Sequence, residues 1–95
     1  MKKQTYVNYL LDLIKGYCTK EEWEEVKDPL VKKSKKLDLY TLRDFSESKT
    51  PFGVLHRLKI VESSDKGLGK ILVKRYEQNR GVLEQVRKDH NIPDN

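Results

Sequence analysis

Residues 71–86 read ILVKRYEQNRGVLEQV. Ile71, Leu72, Val73, Tyr76, Leu83 and Val86 return at helical spacing, while Lys74, Arg75, Glu77, Arg80 and Glu84 carry charge. Asn79 and Gly81 interrupt the run, with Arg80 between them. Without that break, a helix from Leu68 to Val86 would extend about 28 Å at roughly 1.5 Å per residue. That is too long for the single core that 95 residues can build. Asn79 is therefore expected to end one helix and cap the next, so that both halves pack on the same bundle.

Working outward, the rest of the chain repeats this pattern of short amphipathic helices. Val7, Leu10, Leu11 and Ile14 mark a first helix, widened by Tyr6, Leu13 and Tyr17 and stopped near Gly16. Thr19 and Glu22 in "TKEE" form a capping box for a second, which buries Trp23, Val26 and Leu30. Pro29 is expected to kink that helix or end its regular part, and the lysines of "VKKSKK" to lie in a loop or frayed end. "LDLYTLRDF" predicts a third helix burying Leu39 and Leu42. A fourth, capped by Thr50 with Pro51 at its first position, turns Phe52, Leu55 and Leu58 inward, flanked by Val54 and Val61. "ESSDKG" supplies a stop and a serine cap for a fifth helix burying Leu68, Ile71 and Leu72, and the sixth buries Leu83 and Val86. No segment alternates as a half-buried strand does. The expectation is all-α: a compact antiparallel six-helix bundle over residues 1–90, with 91–95 a tail or the start of a linker.

Hydrophobic residues make up 36% of the chain and charged ones 37%, a balance suited to helices that each bury one stripe and solvate the rest. Net charge is +5, unevenly spread. Glu21, Glu22, Glu24, Glu25 and Asp28 crowd the second helix, whereas Lys66, Lys70, Lys74, Arg75, Arg80, Arg87 and Lys88 face only Glu77 and Glu84. The single cysteine, Cys18, forms no internal bridge and gives no sign of an oxidising compartment. The N-terminal stretch lacks a signal peptide's uninterrupted apolar region, and no apolar run approaches membrane-spanning length. The expected setting is cytoplasmic, away from membranes.

Catalytic motifs fail. "DKGLGK" lacks the four-residue spacing and the Ser or Thr of a phosphate loop. No metal-ligand spacing is present, and the acidic residues crowd one helix instead of converging on a cleft. The chain is read as a non-enzyme without cofactors.

In its helix order, its acidic capped second helix and its broken fifth-to-sixth junction, the chain resembles the death-fold superfamily, and most of all death effector domains. "EWEEVK" follows their second-helix pattern, with Glu22, Trp23, Val26 and Lys27 in the acidic, apolar and basic places. Residues 51–75 follow the fourth and fifth helices, and "RGVL" puts Arg80 and Leu83 where the family opens its sixth. Val82 stands where the family has an aspartate. Asp28 and Pro29 replace its exposed aromatic–leucine pair. The resemblance implies homotypic assembly of adaptors or caspases in apoptotic or innate-immune signalling, with other death-fold domains as partners. It also implies a Glu22–Arg80 surface pair.

The charges suggest how copies would meet. Acidic Glu21, Glu24, Glu25 and Asp28 on one copy would face basic Lys2, Lys3, Arg57 and Lys59 on the next, a head-to-tail contact. A second reading is a nucleic-acid-binding protein using Lys70, Lys74, Arg75, Arg87 and Lys88, with Tyr76 for contact. A third is a bundle with another partner, such as an inhibitor or immunity protein.

Overall fold

A computed structural model describes residues 2–49, 51–60 and 67–92. These form six α-helices and no strand: α1 (Lys3–Tyr17), α2 (Lys20–Ser34), α3 (Leu39–Glu47), α4 (Val54–Arg57), α5 (Leu68–Gln78) and α6 (Arg80–Asp89). A 3₁₀ turn, Pro51–Gly53, leads into α4. The Cα radius of gyration is 12.1 Å, close to the value of about 12.4 Å expected of a folded domain this long.

α1 is the hub. It packs against α2, α3, α5 and α6, so it buries more than one stripe: Tyr6, Val7, Tyr9, Leu10, Leu13, Ile14 and Tyr17 are all inside. By contrast, α2 buries only Val26, Leu30 and Ser34, successive positions of one i, i+4 row. Trp23, expected inside, is half-buried against the core, and the opposite face of the helix is left to water, which is why it tolerates so much charge. Its regular part does not end at Pro29 but runs on through Lys32 and Lys33. The carbonyl that loses its amide partner to the proline belongs to Glu25, an exposed residue where water can take the bond.

The break that decides the fold is present: α5 ends at Gln78, α6 begins at Arg80, and Asn79 between them has φ −145° and ψ 81°. Its amide closes α5 onto the carbonyls of Arg75 and Tyr76. The Asn79 side chain makes no cap bond, against expectation. The Tyr17 hydroxyl does that work instead. It donates to the Asn79 carbonyl and accepts from the Leu83 amide at 3.1 Å. Those two groups would otherwise close the first turn of α6, so a side chain is inserted into the helical ladder, a recognised cause of a sharp bend.

Elsewhere the boundaries shift. Leu39, expected inside, is 43% exposed and Tyr40 is 79% exposed, because α3 turns Leu42 and Ser46 inward and leaves its first turn outside. Leu68, Ile71 and Val86 are half-buried rather than buried. Gly67, not a serine, stands at the start of α5. The Thr50 cap, Val61 and the serine stop of 62–66 lie outside the described residues.

α4 closes with the Ile60 amide on the Leu55 carbonyl and the Lys59 amide on that of His56. Lys59 thereby takes the left-handed conformation, φ 57°. The same double closure ends α6: Ile92 reaches the Arg87 carbonyl, Asn91 reaches that of Lys88, and Asn91 has φ 55°. This Schellman arrangement carries an apolar residue just past the cap back onto the helix. Ile92 is accordingly in the core, 6% exposed, and the packed region extends into what was expected as tail.

Candidate functional site

Three helix ends meet where α2 begins. Thr19 and Glu22 form the expected capping box, with the Thr19 amide 2.7 Å from Glu22 Oε1 and the Glu22 amide 3.2 Å from Thr19 Oγ1. Across from α5, Arg75 grips both Glu22 oxygens, at 2.5 and 3.1 Å, and also donates to the Tyr17 carbonyl at 2.8 Å. One side chain thus ties the end of α1, the start of α2 and the end of α5.

The expected Glu22–Arg80 pair is replaced by Glu22–Arg75. Electrostatics favours the exchange: Arg75 sits in the last turn of α5, where a cation complements the helix dipole, whereas Arg80 opens α6, where it opposes it. Arg80 instead lies over the Tyr76 ring, 5.8 Å from its centroid. Arg75 holds the Glu22 carboxyl below its usual range, and Glu22 raises Arg75 in return. Cys18 ends α1 beside them. Burial, then the neighbouring Glu22 carboxylate, pushes its thiol up to about 11.

With Glu22 engaged internally, the acidic surface of α2 reduces to Glu21, Glu24, Glu25 and Asp28. All four are exposed and recur at i, i+3, i+4 and i+7, one face of the helix. Within that stretch Lys27 pairs with Glu24 at 2.8 Å. The opposite end of α2 is basic. Lys3 donates to the Lys35 carbonyl at 2.6 Å and Lys33 to the Leu58 carbonyl at 3.2 Å. Both lysines therefore satisfy carbonyls near helix ends. Arg57 and Lys59 are exposed. Asp38 caps α3 by accepting from the Thr41 amide at 2.7 Å. That bond above all, and then the positive charges of Arg57 and Lys3, hold its carboxyl low. The structure thus gathers Lys2, Lys3, Lys35 and Arg57 around one end of α2, with the carboxylates at the other.

A separate groove of about 870 Å³ runs along α6, lined by Lys49, Tyr76, Arg80, Leu83, Glu84, Arg87, Lys88, Asn91 and Ile92. Arg87 is only 8% exposed. Its Nε donates to the Tyr9 hydroxyl at 3.3 Å, and its Nη2 to the Ser48 carbonyl. Nearby, His90 Nε2 lies 2.7 Å from Asp12 Oδ2 and clamps the end of α6 to α1. Nothing local marked Arg87 as internal, because its anchors are 39 and 78 residues away. Of the five cations expected to bind nucleic-acid phosphates, Arg87 is buried and the half-buried Arg75 is engaged by Glu22. Tyr76 packs its ring against Tyr17 and Phe52.

Among the described residues no three His, Cys, Asp or Glu side chains are grouped to hold a metal, and no helix is long and apolar enough to cross a membrane. No family model, curated protein or solved structure matches the chain.

Proposed function

We propose that the chain is a protein-interaction module that assembles with its own kind through charge. It would act as its resemblance to death effector domains implies, as an antiparallel six-helix adaptor domain gathering signalling proteins in the cytoplasm, with a binding and not a catalytic role. The observation that supports this reading is the exposed stripe Glu21, Glu24, Glu25, Asp28. It stands on a helix held by a narrow seam, with Lys27 paired to Glu24 within it and the exposed Arg57, Lys59, Arg80 and Lys88 of this net-positive domain outside it. Unlike patches on one molecule favour a heterologous contact, in which each copy uses a different face. Such contacts steer encounter and fix orientation more than they add affinity.

Light scattering on the size-exclusion eluate tests it. Between about 0.1 M and about 1 M salt the screening length falls from about 10 Å to about 3 Å. Large species present at the lower salt should dissolve at the higher, and reversing Glu24 and Glu25 to lysine should abolish them. A monomer at every salt concentration, or assembly indifferent to the reversal, would refute the reading.

A further inference from the structure

The structure points to the groove along α6 as the surface that receives the acidic stripe of a second copy's α2; this rests on the reading that copies associate through that stripe. Spacing is the first argument. Glu21 to Asp28 spans about 10.5 Å of helix, and Arg80 to Lys88 on the groove spans about 12 Å. A second helix laid along α6 therefore keeps its carboxylates within reach of cations at both ends, and Lys49 also lines the groove. Charge is the second. Lys49, Arg80 and Lys88 present exposed cations to the groove against one carboxylate, Glu84; Arg87 also lines it but is held by the Tyr9 hydroxyl and the Ser48 carbonyl.

Shape is the third argument. Tyr76, Leu83 and Ile92 give the groove an apolar floor inside a charged rim, the anatomy of an interface that excludes water. Ion pairs closed over such a floor are screened less than those on an open surface. The alternative receiver, the basic face around Lys2, Lys3, Arg57 and Lys59, has Lys3 already held by the Lys35 carbonyl, as Lys33 next to it is by Leu58. Those lysines close helix ends.

Three charge-reversed proteins decide it, each read by light scattering at about 0.1 M salt: Glu24→Lys/Glu25→Lys, Arg80→Glu/Lys88→Glu, and Lys3→Glu/Arg57→Glu/Lys59→Glu. The first two should each be monomeric alone and assemble when mixed, because a reversed stripe then meets a reversed groove. The third should assemble as the unmodified chain does. Circular dichroism melts establish that each is folded, and Arg80→Gln/Lys88→Gln replaces any reversal that is not, with weakened assembly expected. If the groove variant assembles normally while the stripe variant does not, the inference fails and the interaction reading survives. Rescue of the stripe variant by the Lys3/Arg57/Lys59 variant would move the receiving surface to that face. If the stripe variant assembles unchanged, the interaction reading itself fails.

Discussion

Two glutamates two residues apart on α2 should behave as though they belonged to different proteins. Glu22→Ala removes the acceptor of the Thr19 amide and both oxygens that hold Arg75. Losing one side of a helix cap costs about 1 kcal/mol. The ion pair, with side chains 34% and 23% exposed, is worth about another 1 kcal/mol after solvent screening, the upper end for pairs near a surface. Together, about 2 kcal/mol should lower Tm by roughly 8–16 °C in a domain of this size. Glu24→Ala breaks only an exposed i, i+3 contact with Lys27 and should leave Tm unchanged within error. Thermal melts followed at 222 nm by circular dichroism read both.

A pH series adds a second check. The folded-state Glu22 carboxyl titrates below its unfolded value because Arg75 favours the charged form. Its contribution is therefore complete above the unfolded pKa and is lost as pH falls through the folded one. Arg75 is shifted upward from an already high value and opens no window in the working range. The stability gap between the unmodified chain and Glu22→Gln should then narrow from neutral pH down to about pH 3. Equal melting shifts for Glu22→Ala and Glu24→Ala, or a Glu22→Gln gap that ignores pH, would refute the argument.

Two further predictions concern the neighbouring residues. Tyr17→Phe keeps the ring packed on Phe52 but strips the hydroxyl from between Asn79 and Leu83; urea denaturation should show a loss of about 1–3 kcal/mol, and an unchanged midpoint would mean that the inserted hydroxyl does not stabilise the break. Cys18, with its thiol pushed up to about 11, should react with an aromatic disulfide at pH 8 about 100-fold more slowly in the native protein than in denaturant, and equal rates would contradict its burial.

Legibility followed sequence distance. The capping box at Thr19 and Glu22 and the inward positions Leu10, Leu13, Ile14, Leu30, Leu42 and Leu72 were readable because each depends on neighbours within a turn or two. So was the interruption at Asn79, which follows from local periodicity and the size of the core. A Schellman end was readable too, in principle: the pattern "HNIP" places Asn at the left-handed position and an apolar residue directly after it, the signal that Ile92 folds back.

What the sequence by itself determined is the set of helices and the charge each carries, since both are properties of short segments. Only the tertiary structure decided which cation answers Glu22, that Arg87 is buried while Leu39 is not, and that the helix break is held open by a tyrosine 62 residues away. Periodicity specifies which face of a helix is apolar. It does not specify which neighbour meets that face or at what rotation, and those two quantities select Arg75 over Arg80 and turn the carboxylates of α2 outward.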